Sequence, residues 1–519
     1  MKIKSWIPAV AGMTTLLIAL MPTHAETLRI AGTQAPPTLG NPYSAVGPPA
    51  STVWSPMYDG LTVINSAGKI DPALAESWRN TTPTTWEFKL RPGVMYHNGA
   101  PFNAQSVVDV ITMLKSPDTQ RFLIASELRG VTAVKAIDAL TVQFTTAEAD
   151  AVLPKRLNII MMVEPKAWKE MGADAYALKP IGTGAYKLTD WGRGNARIKY
   201  ELDPTSWRAP KPGGPSPLID KVELIIITET TSRVQAIMSD QVDIALAPGP
   251  EDVQVLTDAG FVVKSQPLGV VMSIAFRTER PDAAPLKDKR VRQALNYAVN
   301  RQSMAQDMLG GIAVAASQGA TAETFGYNPA LKPYPYDPAK AKSLLEEAGY
   351  PDGFALRIEV LTNLGNSDTA LYQKMAEDLG KVGVKVELRS TTFASWVRKY
   401  NVNEWGDIDA FSLTWNSAPF QDVIRPIEYF SCLKAAAFFC DPSIVPLIKQ
   451  SNQTMDEPAR LKLLQEIMVK TQNIAPALIL VDFPNLTAWS PRVKAAPLRV
   501  AGLEFEKVVL SEKYNLRNQ

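Results

Sequence analysis

Histidine is nearly absent from this 519-residue chain, with only His24 and His97 present. A metal site built from several histidines is therefore excluded, and histidine-dependent catalysis has almost nothing to work with. Cysteine is as scarce: Cys432 and Cys440 are the two, and their spacing fits no zinc pattern. Excess charge of one sign is missing too, since 54 Lys and Arg stand against 52 Asp and Glu. Such a surface offers no long-range attraction to nucleic acid or anionic lipid. After the N-terminus no segment reaches the ~18 consecutive apolar residues of a membrane helix. There is no phosphate loop ending in Gly-Lys-Ser/Thr, no Gly-x-Ser-x-Gly elbow and no His-Glu-x-x-His pair. Proline, by contrast, is plentiful at 40 residues. That is above a usual share of about 5%, and it favours many turns over one long helical bundle.

The first 25 residues read as an export signal. Lys2 and Lys4 make a positive start, Leu16 to Leu20 lie in a short apolar stretch, and Thr23-His24-Ala25 offers a small-residue cleavage site. No cysteine lies near that site, so a lipid anchor is not expected. Cleavage after Ala25 removes Lys2, Lys4 and His24 and leaves the mature chain electrically balanced, with His97 its single histidine. In an exported chain Cys432 and Cys440 are expected to form a disulfide rather than free thiols.

Strand and helix patterns alternate throughout. Trp86-Glu-Phe88-Lys-Leu90 and Leu140-Thr-Val142-Gln-Phe144 have the period-two alternation of half-buried strands. Val222 to Ile227 is a continuous apolar run that suits a buried strand. Val242-Asp-Ile244 reads as a further strand. Asn103 should cap a helix carrying Val107, Ile111 and Leu114 on one face. Asp337-Pro338 opens another helix, and Gly349 closes it. A long helix from about Pro458 to Thr471 should bury Leu461, Leu464, Ile467 and Met468. Mixed alternation over this length, without a flexible tether, means two or more α/β lobes.

Several segments together are similar to one family. They are Met57-Tyr-Asp-Gly-Leu61, Leu74-Ala-Glu-Ser-Trp78, Tyr96-His-Asn-Gly-Ala-Pro-Phe102, Gly182-Thr-Gly-Ala-Tyr-Lys-Leu188 and the stretch Leu286 to Arg301, followed by Ala339 to Gly353. In this order, after an export signal, they resemble the extracytoplasmic solute-binding proteins of ABC importers, family 5, the peptide/nickel/opine class that includes periplasmic dipeptide- and oligopeptide-binding proteins. The resemblance implies an α/β, two-lobed Venus-flytrap fold of type II with an extra subdomain in lobe I. It places lobe I at 26–44, 179–266 and 482–519, the extra subdomain at 45–178 and lobe II at 267–481. The implied partners are a small or peptide-like solute and the permease subunits in the inner membrane. No nucleic acid and no cofactor are expected, and a monomer suffices. Within the quoted motifs Arg290, Arg292 and Arg301 read as surface ion-pairing residues, and His97 as a turn residue.

The resemblance also directs attention to a pocket. In the family a Trp after a lobe II strand lies by the ligand. Here Ile408 to Thr414 is that strand, and Trp415 is followed by Asn416-Ser-Ala418-Pro-Phe-Gln-Asp422. Peptide receptors place an Asp three residues after the Trp, where it pairs with the peptide's α-ammonium. This chain has Ala418 there, and Asp422 could substitute only with a differently bent loop. The matching region holds no histidine, which argues against nickel. Met272, Trp396, Phe393, Trp54 and Tyr43 complete the candidate ligand contacts, with core packing as the alternative for each. Aromatic and amide residues with few charges imply a neutral or weakly charged ligand.

Two other readings compete. A secreted hydrolase could work with paired carboxylates, but no marked pair stands out. A chaperone-like periplasmic protein would bind without a defined ligand.

Overall fold

The apolar run around Val222 becomes Ile219–Ile226, a strand beside the centre of a seven-stranded sheet. Glu26–Gly32 lies next to it in parallel register, and on its other side pairs in parallel with Ile244–Leu246. Arg197–Leu202 and Tyr186–Asp190 extend one edge, and Asn485–Trp489 and Val262–Gln266 the other. The computed structural model describes residues 26–511, apart from 48–49, 66, 120, 212–218, 267, 281, 362–367, 483–484 and 500–501. The expected export signal lies outside the described residues. No helix among the described residues is long and apolar enough to cross a membrane.

A second seven-stranded sheet is built around Val270–Phe276, which is antiparallel to both Ala477–Asp482 and Ala410–Ser412. Ala355–Leu361 joins Ala410–Ser412 and Lys385–Thr391 in parallel. The chain leaves the first sheet after Val262–Gln266 and enters the second at Val270–Phe276. It returns between Ala477–Asp482 and Asn485–Trp489. The result is the two-lobed α/β arrangement, each lobe with its own apolar core.

The extra subdomain is carried by a four-stranded antiparallel sheet within residues 75–146. Phe88 and Phe144 meet edge-on beneath the helix Ala104–Leu114. Asn103 caps that helix: its side chain accepts from the Ser106 N–H, and the Ser106 hydroxyl accepts from the Asn103 N–H.

Most expected elements form within a residue or two of their positions, and the exceptions have physical causes. The strand expected at Val242 begins at Ile244, because the Asp243 carboxylate accepts the Arg29 backbone N–H at 2.8 Å in place of a ladder carbonyl. The long helix runs Glu457–Ile474, with Leu464, Ile467 and Met468 buried but Leu461 only half-buried. Arg460 takes an inward position on that helix instead. Arg290 is a surface residue paired with Asp288. Arg292 and Arg301 are not: both are buried and donate to backbone carbonyls, Arg292 to Ile474 and Leu286, Arg301 to Asn296.

His97 keeps its structural role. Its ring nitrogens face the Gly184 carbonyl at 3.0 Å and the Gly182 N–H at 3.3 Å. Those glycines are required by close approach. A Cβ at Gly182 would stand 2.0 Å from the Met57 carbonyl oxygen, and one at Gly184 would stand 2.1 Å from that of Pro56. The short Gly182-Thr-Gly184 motif is thus a close backbone crossing.

Candidate functional site

A cavity of about 1570 Å3 lies between the two sheets. Parallel strands bring their carboxyl ends to it from both sides, the usual place for a site in open α/β sheets. Loops after Gly32, Ile226 and Leu246 form one wall. Arg233 ties the last two together by donating to the carbonyls of Ile227, Thr228, Leu246 and Ala247 at 2.7–3.0 Å.

The second lobe contributes the helix Phe393–Val402, capped by Thr392. Phe393, Trp396 and Tyr400 fall on one face at helical spacing and stack in series. Phe393 and Trp396 are 6.4 Å apart with planes at 7°, and Trp396 and Tyr400 are 4.9 Å apart at 8°. The Trp396 indole donates to the Ser412 carbonyl at 3.0 Å, which fixes the middle of the stack. All three line the cavity.

Of the residues singled out from sequence, Asn416, Trp396 and Phe393 are on the cavity wall. The others stand behind it. Trp415 is 1% exposed, stacked on Phe430 at 4.0 Å and 4°, with Gly319 so close that a Cβ there would lie 2.1 Å from the indole. Ala418 is buried, and its N–H donates to the Asn416 side chain. Met272 belongs to the lobe II core. Trp54 is buried and donates to the Leu39 carbonyl; Tyr43 donates to that of Met161 and meets Trp168 edge-on. Cys432 and Cys440 are disulfide-bonded.

Asp422 has no carboxylate to spare for a ligand. It is fully buried and accepts from Arg460 at 2.6 and 3.1 Å and from Lys155 at 2.9 Å. Burial pushes its carboxyl up, but Arg460 and Lys155 outweigh that and hold it far below the ordinary range. Lys155 comes from the short helix Leu153–Arg156, ahead of the chain's first passage between the two large sheets, so this pair ties that part of the chain to the loop after Trp415. The next residue, Arg156, repeats the pattern with Glu127 at 3.0 Å and Glu428 at 2.8 Å.

The cavity is also more charged than the sequence motifs implied. Arg129, Arg425 and Lys434 line it, and none was singled out. Arg129 precedes the outer strand of the subdomain, Arg425 lies seven residues beyond Ala418, and Lys434 sits inside the disulfide loop. The one available signal was the loop itself: a disulfide between cysteines eight positions apart holds whatever side chain the loop carries in a fixed place. Among the described residues no cluster of His, Cys, Asp and Glu could hold a metal ion.

Comparison with known proteins agrees with this geometry. Residues 69–436 match the profile of the bacterial extracellular solute-binding proteins, family 5 Middle. The glutathione-binding protein GsiB of Pectobacterium atrosepticum is 26% identical over 506 residues, covering 94% of this chain and 95% of that protein. Di/tripeptide-binding protein 2 of Pseudomonas aeruginosa is 26% identical over 442 residues, 79% of this chain and 81% of its own length. In fold, the chain is similar to the periplasmic binding protein DppA of Helicobacter pylori in complex with the peptide STSA. The TM-score is 0.80 at 21% identity, over 94% of this chain and 98% of that one.

Proposed function

The chain belongs to the bacterial extracellular solute-binding proteins of family 5, the binding components of ABC importers, and on that premise we propose that it captures a peptide-like or opine-like solute between its lobes and delivers it to an inner-membrane permease. It binds its solute without altering it. The carrying observation is the cavity bounded by the carboxyl ends of both sheets, between which the chain passes after Val262–Gln266 and again after Ala477–Asp482. A hinge of that kind lets the lobes close on a ligand that touches both, and closure is what a permease can read. Closure also removes water, which strengthens every polar contact inside.

The lobes in this reading are 26–44 with 179–266 and 482–519, then 267–481, with 45–178 as the extra subdomain. The order of strands in the two large sheets and the separate four-stranded sheet support that division. Residues 1–25 act as a signal cleaved after Ala25, releasing an unanchored protein into the periplasm. Asn416, Trp396 and Phe393 contact the solute. With Ala418 in place of the usual acid and Asp422 committed to Arg460 and Lys155, a peptide's α-ammonium is not held by a carboxylate on this loop.

A thermal-shift panel of dipeptides, tripeptides, glutathione and opines tests the proposal. Ligands that bind only the folded form raise the Tm by mass action. A rise with at least one of these classes is expected; no rise with any of them contradicts the reading.

A further inference from the structure

Beside the cavity wall at Arg425 and Tyr429, two distant parts of the chain meet through buried charges. Residues 127–158, ahead of the first passage between the large sheets, supply Glu127, Lys155 and Arg156. Residues 419–453, beyond that passage, supply Asp422, Arg425 and Glu428. Lys155 donates to Asp422 at 2.9 Å, Arg156 to Glu428 at 2.8 Å, and Arg425 to Glu127 at 3.3 Å. The signs are matched at all three crossings. Uncharged contacts run alongside. The Ala151 N–H donates to the Asn452 carbonyl at 2.7 Å, the Asn158 amide to the Pro419 carbonyl at 2.6 Å, and the Gln453 amide to Glu148 at 2.8 Å. Val152 is fully buried, in the apolar cluster that holds Trp415, Phe420 and Val423.

Most of these charges also have a partner on their own side. Asp422 accepts from Arg460 at 2.6 Å, and Glu428 from the Asn452 amide at 2.8 Å. Arg156 donates to Glu127 at 3.0 Å and lies 3.6 Å from Asp150. Such a contact suits surfaces that part and meet again. A buried ion pair gains about as much from attraction as it loses in hydration, so separating it costs little. Parting leaves almost no apolar surface in water, because Val152 is the main apolar residue inserted. Rejoining is guided by the matched signs, which fix the register.

We propose that this contact is a reversible latch, which holds the clamp shut before any solute enters and parts to let solute pass. Val152 supplies the preference for the closed form, and the three crossing ion pairs align the two faces. The latch acts whether or not solute is inside, so it slows both entry and release. The inference rests on the two-lobed solute-binding reading, with residues 45–178 on one jaw and 267–481 on the other.

Small-angle X-ray scattering of the mature protein without solute is the test. The wild-type curve should match the one calculated from the structure, with a radius of gyration of about 23 Å for a compact chain of this length. Lys155→Met and Glu428→Gln each cut one crossing pair and leave Asp422 and Arg156 with their remaining partners, so both should keep the wild-type circular dichroism. Each should show a larger radius of gyration than wild type, and glutathione or a dipeptide at saturation should bring it back. A solute-free wild type more extended than the structure overturns the latch, and so do folded variants that scatter as wild type does. Both of those results are read without solute. Failure of glutathione and every dipeptide to bind tells against the solute-binding reading alone.

Discussion

Asp422 and Arg460 form a buried bidentate ion pair, with Arg460 Nη1 at 2.6 Å from one carboxylate oxygen and Nη2 at 3.1 Å from the other. The pair joins the loop after Trp415 to the long helix Glu457–Ile474, and Lys155 adds the helix Leu153–Arg156 to the same carboxylate. An acid that looked available for a ligand is thus an internal strut.

Removing one member of such a pair leaves the other charges buried and uncompensated. Asp422→Asn should therefore cost about 3 kcal/mol of stability, read as a drop in Tm. Because the folded carboxyl is held below its ordinary range, its contribution is fully present above an unfolded pKa of about 4 and is lost as pH falls below that. The gap between wild type and Asp422→Asn should shrink in acid. A gap that stays constant down to the acid limit of folding would contradict this.

Trp415→Ala is expected to act on the fold. The indole fills a slot between Phe430 and Gly319 and does not face the cavity. A loss of about 3–5 kcal/mol is expected, as for other buried aromatics. Phe393→Ala is the converse case. Phe393 is 42% exposed on the cavity wall, so its loss should weaken solute binding with Tm of the free protein unchanged within about 1 °C. Denaturation and titration of both variants separate the two effects.

Lys434 gives the site a pH dependence. Burial pushes its ammonium down to about 8, and the positive charge of Arg129 adds to the shift. The groups facing it do not titrate nearby: Tyr400 and Tyr429 are pushed up by burial, and the Glu127 carboxyl, raised by burial, is brought below its ordinary range by Arg425 and Arg156. Lys434 is charged below about pH 8 and neutral above it. Acid solutes should therefore bind several-fold more weakly at pH 9 than at pH 7, a difference of about 1 kcal/mol, and Lys434→Gln should flatten that profile. The sign for folding is opposite. The folded chain gives up this proton more readily than the unfolded one, so Lys434 favours folding increasingly as pH rises from about 8 toward about 10.4.

The disulfide should matter twice. Opening it with Cys432→Ser and Cys440→Ser together removes about 2.5 kcal/mol on the chain-entropy model. It also frees the loop that holds Lys434 on the cavity wall, so solute binding should weaken. Without reductant, denatured wild type should show no free thiol, since both cysteines are bonded.

Much of the frame could be read from the chain. Period-two alternation placed the subdomain strands, because each has one face on a core and one in water. Capping chemistry placed the helices at Asn103 and Asp337, because those signals are local. The pocket was harder for a physical reason. Its wall residues come from segments far apart in sequence, with Arg129 near Leu433 and Lys155 bonded to Asp422, and nothing local announces such meetings. Arg292 and Arg301 misled in the same way: a charged residue on an amphipathic helix looks like a surface group until the carbonyls it caps are seen. Trp415 followed the family pattern in sequence, but the slot it fills is closed by Gly319, which is distant in the chain.

The most direct test of the central claim is native mass spectrometry of the mature protein incubated with dipeptides, tripeptides, glutathione and opines. A one-to-one complex with at least one member of the panel, whose mass is unchanged on release, is the predicted result. Absence of a complex with every member, or recovery of the solute in cleaved form, would contradict it.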